Sequence, residues 1–310
     1  MSQFFVSIVI PVYNEEGNIS RLLEKLSEVL LNFKYEIIFI NDGSKDKTTQ
    51  LIKKETSEKP NIKLISFYRN FGHQEALTCG YLYTQGDCVI SIDADMQDPP
   101  DIIPEMIAKW QAGAMIVYAK REKRTTDNWF KKFSAQSFYK LLNYISDVPI
   151  PEDVGDFRLI DKEVVNFINK LPEKSKFLRG LVSWGGFPSD FVYFNRQTRH
   201  SGHTHYNIAK MFNLALDGIT SFSTKPLQLA TYIGFLSASI GFLGVLYAIV
   251  GKLFLPAYWI TGWTALFVGI MFLGGVQLIT IGIIGEYISK IYKEVQKRPN
   301  YIIEEKINIQ

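Results

Sequence analysis

The first residues in this chain that could do chemistry are carboxylates at the ends of short apolar runs. In DADMQDPP (93–100), Asp93 and Asp95 stand two apart where the run DCVISID ends. If the chain turns there, the two side chains point the same way and can share a hard cation, Mg2+ or Mn2+, that neutralises a diphosphate. The same residues also fit a solvated turn, with Asp98 and two prolines opening the next helix. The segment INDGSKDKT (40–48) has a similar double reading. Asp42 suits a nucleotide base or ribose, while Asp, Ser and Gly equally suit a turn and a helix cap. Asn14-Glu15 follows VSIVIPVY, and Arg69-Asn70-Phe71-Gly72-His73 follows IKLISFY. Taken singly, neither the functional nor the bland reading of such segments wins.

Their common position does separate the readings. Over residues 1–120, β-rich runs alternate with amphipathic stretches near 18–31, 48–58, 73–84 and 101–111. That alternation predicts an α/β domain with a parallel sheet and crossover helices. Ligands collect at the carboxyl ends of the strands in such sheets, where the polar segments fall. There is no GxGxxG after the first run and no GxxxxGK[ST] anywhere, so a dinucleotide fold or a P-loop is poorly supported.

The 310 residues carry 34 Lys and Arg against 31 Asp and Glu, a net charge of +3. That balance argues against nucleic acid as a partner. Cys79 and Cys88 are too few for a disulfide framework. The start, MSQFFVSIVIPVYNEE, reads as a buried strand and not as a signal peptide. A mean hydropathy of +0.02 hides an uneven distribution. Lys252 is the single charge between Pro226 and Gly285. This stretch predicts two membrane-spanning helices, about 227–250 and 264–284, since roughly 20 apolar residues suffice to span. Between them LPAYWITGW (255–263) suits a turn at headgroup level. Glycines recur in both spans and are expected to let the pair pack closely. Basic residues flank the outer ends, Lys210 and Lys225 before, Lys290, Lys293, Lys297 and Arg298 after, so both termini are expected in the cytosol. Ile208, Met211, Phe212, Ala215, Ile219 and Phe222 form a helical stripe that predicts an interfacial helix ahead of the first span. The tail IYKEVQKRPNYIIEE suits a second interfacial segment ended by Pro299. The expected organisation is a catalytic domain over 1–205, an interfacial helix over 206–225, the hairpin over 226–285 and a cytosolic tail over 286–310.

Taken in order, seven segments resemble the polyisoprenyl-phosphate glycosyltransferases of glycosyltransferase family 2, the GtrB- and ArnC-like enzymes and dolichol-phosphate mannose synthase. They are IPVYNEE (10–16), INDGSKDKT (40–48), YRNFGHQEAL (68–77), DADMQDPP (93–100), VGDFRLID (154–161), FLRGLVSWGGF (177–187) and IGEYISKIYKEVQKRP (284–299). The resemblance implies a GT-A fold, a Rossmann-like and mostly parallel sheet, followed by interfacial helices and the hairpin. It implies inverting transfer of one sugar from a nucleoside diphosphate donor, UDP-glucose by preference, to a polyprenyl phosphate such as undecaprenyl phosphate. Pro11, Tyr13, Asn14, Glu15, Asp42, Asp93 and Ala94 fall on the family's nucleotide pocket. Asp93 and Asp95 fall on its Mg2+- or Mn2+-binding DxD, Asp95 being also a catalytic expectation, with Gln97 beside it. Asp156 falls on an aspartate of the reaction centre, and Arg179 on the family's Arg-Gly segment, with Gln97 and Arg179 both expected to contact donor or acceptor phosphates. Arg199, Thr204 and His205 fall on a phosphate-contacting Arg…Gly-x-Ser-Lys-Tyr segment, in which Thr204 replaces Ser and His205 replaces Lys. Arg121, after the fifth run, is a further phosphate candidate, alongside the reading of a solvated basic turn.

Asp156 scarcely has to act as a base, because a phosphate monoester with a second pKa near 6 is already largely anionic at neutral pH. The resemblance further implies a bacterial inner-membrane location and a homo-oligomer, a tetramer in related enzymes. Two other readings carry less support. A processive polysaccharide synthase would add a QxxRW segment and more spans, and neither is in the sequence. A non-catalytic, membrane-tethered nucleotide-sugar-binding accessory protein would bind the donor without turnover.

Overall fold

The structure, a computed structural model, describes residues 4–122, 151, 154–174, 176–195, 223–254 and 262–309. Arg199, Thr204, His205, nearly all of the expected interfacial helix and the 255–261 part of the headgroup turn lie outside the described residues.

The described residues fall into two compact units. The first is built on β1 (Phe5–Val12), α1 (Ile19–Val29), β2 (Lys34–Asn41), α2 (Thr48–Glu58), β3 (Ile62–Phe67), α3 (His73–Leu82) and β4 (Cys88–Ser91). A 3-10 turn at Pro100–Ile102 leads to α4 (Ile103–Gln111) and β5 (Ile116–Arg121). Then come β6 (Val154–Asp161), α5 (Lys162–Lys170), α6 (Leu178–Trp184), β7 (Ser189–Phe194) and, at the end of the chain, β8 (Ile303–Ile307). The central strands are mostly apolar on both sides because helices cover both faces of the sheet, and the polar residues within them, Ser7, Glu36, Lys63 and Ser91, are buried. Ile8, Ile10, Ile37 and Phe39 point to the face covered by α1, α2 and α4 through Leu22, Leu26, Ile52 and Met106. Val9, Ile38 and Ile40 point to the opposite face, packing with Leu77, Val164, Ile168 and Val182 of α3, α5 and α6.

The strand order is β7-β5-β6-β4-β1-β2-β3-β8. β1 pairs in parallel with β2 and β4, and β2 in parallel with β3. β5 and β7 also pair in parallel, while two strands run against the rest. β6 inserts antiparallel between β4 and β5, and β8 closes the other edge antiparallel to β3. The sheet is therefore mixed, as befits a GT-A fold. The insertion matters for the site, because an antiparallel β6 begins at the end where β4 finishes, with Arg158 opposite Ser91.

The second unit contains α7 (Lys225–Phe254) and α8 (Trp263–Gln296). Ser223 caps α7, its hydroxyl accepting from the Lys225 N–H at 3.1 Å, and Pro226 sits in the first turn, where its missing N–H costs nothing. Lys225–Gly244 and Gly269–Gln296 are long and apolar enough to cross a membrane. Phe235, Phe242, Leu243, Met271, Leu278 and Ile281 are exposed along them. Two expectations change here. A Cβ added at Gly234, Gly241, Gly274, Gly275 or Gly282 would meet nothing within 4 Å, so these glycines do not create the contact between the two helices. The tail is not a separate interfacial segment either. Glu286–Gln296 continues α8, since nothing in it breaks a helix, and Lys297 ends it in a left-handed conformation, φ 48°, two residues before Pro299. The chain from Arg298 on then belongs to the first unit and supplies its strand β8.

Candidate active site

At the carboxyl ends of β1 and β2, each loop is held by the other. The Asn14 N–H donates to Ser44 Oγ at 3.0 Å, and Asn14 Oδ1 accepts from the Lys45 N–H at 2.8 Å. Asn14 is left-handed, φ 55°, a conformation that Asn tolerates well. The Glu15 N–H donates to Thr48 Oγ1 at 2.9 Å, and Glu15 Oε2 accepts from Asn18 Nδ2 at 2.6 Å. Glu16 Oε2 accepts from the Lys47 N–H at 2.9 Å. Asn14 and Glu15 therefore tie the two loops together, while Pro11, next to last in β1, pairs with Ile40, and Tyr13 is exposed.

Asp42 organises the third loop. Its carboxylate accepts from the N–H groups of Phe71 at 2.6 Å and Gly72 at 2.9 Å. Burial pushes this carboxyl up, and the two backbone donors oppose the rise. Gly43 explains how the loops fit together. With φ at 70°, a Cβ there would lie 2.5 Å from the Arg69 carbonyl carbon, so only glycine lets the two segments approach. Arg69 lies over the Phe71 ring at 4.0 Å. Between these loops opens a cleft of about 520 Å3, lined by Tyr13, Gly43, Ser44, Lys53 and Asn70 among others.

On the other side of β1, the site is built from charge. Asp156, 4% exposed at the start of β6, accepts from Arg179 Nε at 3.2 Å and Nη2 at 2.8 Å. It also accepts from Arg158 Nη2 at 3.0 Å and Gln74 Nε2 at 3.3 Å. His73 Nε2 lies 3.4 Å from Asp156 Oδ2 and 3.5 Å from Asp93 Oδ1. Burial alone would raise the Asp156 carboxyl, but Arg179, the His73 hydrogen bond and Arg158 together hold it well below the ordinary range. His73 moves the other way. Burial works against its charged form, yet Asp93 and the hydrogen bond to Asp156 raise its pKa from 6.5 to about 9. Asp93 is raised by burial and by its acidic neighbours Asp156 and Asp95, with His73 opposing. At neutral pH the centre thus holds an anionic Asp156 beneath a protonated imidazole. Gln74 ties the centre to α6: its Oε1 accepts from the Leu178 N–H at 3.2 Å, next to Arg179.

The DxD turn follows β4. Asp95 Oδ1 accepts from the Gln97 N–H at 3.0 Å, and Met96 between them is left-handed, φ 60°. Ala94 is buried beneath the turn. Arg121 does not stand free beside it, as its Nη2 lies 3.6 Å from Asp98 Oδ1. Among the described residues no cluster of three or more His, Cys, Asp and Glu is arranged to hold a metal. A pair of carboxylates nevertheless suits Mg2+ or Mn2+, which take their remaining ligands from substrate phosphates and water. His73 is Asp93's ion-pair partner, its Nε2 3.5 Å from Asp93 Oδ1.

The structure thus brings Asp93, Asp156 and Arg179 together; of the expected nucleotide contacts Tyr13 lines the neighbouring cleft, Asn14, Glu15 and Asp42 hold the loops that follow β1 and β2, and Pro11 lies within β1. Sequence reasoning assigned no role to His73, Gln74 or Arg158. His73 and Gln74 lay in a segment already singled out, at the opening of α3, where strand-end position alone was a signal. Arg158 had one in its spacing, two residues beyond Asp156 and therefore on the same face of a strand.

The family model for Glycosyl transferase family 2 matches residues 7–168. This chain belongs to glycosyltransferase family 2. It is therefore a glycosyltransferase, and the match spans the loops of the cleft, the DxD and Asp156. Near relatives cover almost all of it. A prophage-derived bactoprenol glucosyl transferase from Shigella flexneri is 48% identical over 96% of this chain and 97% of that protein. The uncharacterized glycosyltransferase YkcC of Bacillus subtilis is 46% identical over 98% of this chain and 94% of that protein. Among solved structures, glucosyl-3-phosphoglycerate synthase from Mycobacterium tuberculosis, in complex with Mn2+, UDP-glucose and phosphoglyceric acid, is 19% identical, with a TM-score of 0.46 over 70% of this chain and 78% of that one.

Proposed function

We propose that this glycosyltransferase moves one sugar from a nucleoside diphosphate sugar, UDP-glucose first among them, onto a polyprenyl phosphate such as undecaprenyl phosphate, with inversion at the anomeric carbon. The observation that carries the proposal is the near-complete alignment with bactoprenol glucosyl transferases, which extends through both apolar helices.

In the proposed reaction the donor nucleoside occupies the cleft at Tyr13 and Asp42, and its diphosphate reaches the end of β4. Asp93 and Asp95 would hold the divalent cation there, which supplies positive charge to the departing diphosphate. A phosphate oxygen of the acceptor, anionic without help, bonds to the anomeric carbon as the bond from that carbon to the diphosphate breaks, the electron pair leaving with the nucleotide. Asp156 is no general base in this scheme. Its lone pairs are engaged by Arg179, Arg158, Gln74 and His73, and its low pKa makes it a poor proton acceptor. It positions Arg179 and His73, and its negative charge complements positive charge developing at the anomeric carbon. His73, protonated and partly exposed, presents an N–H toward phosphate oxygens. Arg199, Thr204 and His205 are further contacts for the acceptor phosphate.

The two apolar helices are proposed to span the membrane with both termini cytosolic. Attachment keeps the site beside a headgroup that cannot leave the bilayer, raising its effective concentration. The test is mass analysis of lipid formed by the full chain in vesicles containing undecaprenyl phosphate, given UDP-glucose, UDP-galactose, UDP-N-acetylglucosamine or GDP-mannose. One hexosyl-phosphate polyprenol is expected. Nucleotide binding with neither lipid product nor nucleoside diphosphate release would overturn the proposal in favour of an accessory protein.

A further inference from the structure

One wall of the 520 Å3 cleft comes from outside the strand-end loops. Glu304 and Glu305 of β8 line it together with Tyr13, Ser44, Lys53 and Asn70. β8 runs in register with β3 as far as Ser66 opposite Glu305; the register then shifts, so that Phe67 faces Ile303 and Glu304 falls at the irregularity. Bulges of this kind re-aim a side chain. The two carboxylates are treated differently by their surroundings. Glu305 is paired with Lys53 Nζ at 2.5 Å, whereas among the described residues Glu304 has no ionic partner. Nor is the segment a loose tail. Tyr301 stacks on Phe67 with ring centroids 4.9 Å apart, and Lys306 lies over the Tyr83 ring at 4.4 Å. Asn308 Nδ2 donates to the carbonyls of Thr56 at 2.8 Å and Ile62 at 2.9 Å. The wall is fixed at both ends.

Sheet order says which part of a donor would meet this wall. Asp93 and Asp156 lie at β4 and β6, on one side of β1, while β2, β3 and β8 lie on the other. A donor whose sugar is at the charged centre therefore directs its nucleoside toward β3 and β8. A nucleoside offers N–H and O–H donors there, and a carboxylate without a cationic partner accepts from them while disfavouring a second phosphate. The geometry points to Glu304 as a specificity-determining residue for the donor nucleoside, supplied by the last strand of the chain. This inference rests on the reading of the cleft as the donor site.

The experiment titrates UDP and GDP, as probes, into the full chain in detergent, and measures kcat and KM with UDP-glucose on undecaprenyl phosphate. Glu304→Gln keeps the shape and removes the charge, and Tyr13→Ala reports on the cleft itself. In Glu304→Gln, the tighter-binding nucleotide is expected to weaken about tenfold, as for a lost hydrogen bond to a charged group. Its KM should rise in step, with kcat within about twofold and the thermal midpoint unchanged. Affinity lost in Tyr13→Ala but intact in Glu304→Gln overturns the role of Glu304 and leaves the cleft as the donor site. Affinity intact in both overturns the donor reading. A lower midpoint in Glu304→Gln that accounts for the weaker binding also overturns the inference, by making the residue structural.

Discussion

The two halves of the site are held together by different forces. On the β1–β2–β3 side, loops are fixed by backbone N–H groups meeting side-chain oxygens, as in Asn14 with Lys45 and Asp42 with Phe71 and Gly72. On the β4–β6 side, Asp156, Arg158, Arg179, His73 and Asp93 hold one another by charge, with Arg158 only 1% exposed. The first arrangement sets shape and changes little when one ligand-facing side chain is altered. The second stores its function and part of its stability in the same few groups, so that each change there registers in both.

The largest effect should come from the charged half. Asp156→Asn is expected to reduce sugar transfer about a thousandfold or more, read as lipid product per unit time, on the scale of losing a preorganised electrostatic group. Near-normal turnover would remove Asp156 from the reaction centre. Next, Arg158→Met should cost about 3–5 kcal/mol in unfolding of the full chain, because it breaks a buried ion pair from one side. A cost under about 1 kcal/mol would mean that Arg179 alone satisfies Asp156. In the neutral half, Asp42→Asn replaces one acceptor oxygen by an NH2 group facing a backbone N–H, so a smaller loss of about 1–3 kcal/mol is expected in the same measurement.

The subtlest test is pH. The folded pKa of His73, about 9, lies above its ordinary 6.5, so its contribution to stability is complete below pH 6.5 and lost as pH rises toward 9. Asp156 is shifted down, so its contribution is present above the ordinary carboxylate range and lost only as pH falls below it. The thermal midpoint should therefore decline between pH 6.5 and 9, and His73→Asn should flatten that decline. An unchanged slope in the variant would separate His73 from the charged half.

The same contrast explains what was legible in the sequence. Loops that follow consecutive parallel strands reveal themselves by spacing, so Asn14, Asp42 and the DxD could be placed at one end of a sheet from the order of apolar runs. Helix α2 could be placed at 48–58 for the same reason, because turn residues bound it on both sides. Asp156 could be linked to that end only by resemblance, since nothing local to VGDFRLID says that its strand runs antiparallel beside β4. The strand-end position of His73 and the spacing of Arg158 were signals, but what they act on becomes readable only with that pairing. β8 was missed for a related reason. YIIEE follows a long helix, and its apolar run followed by two carboxylates suits an interfacial segment as well as an edge strand. Only the open edge of β3 distinguishes the two.

That edge has a consequence for how the molecule is made. Strand β3 is synthesised early, but the strand that covers it follows both apolar helices in the sequence. Until then the backbone groups along one side of β3 have no ladder partner, the exposed condition that invites wrong pairing. By the time β8 emerges, both apolar helices have already been made. Completion of the catalytic sheet thus waits for synthesis of both apolar helices.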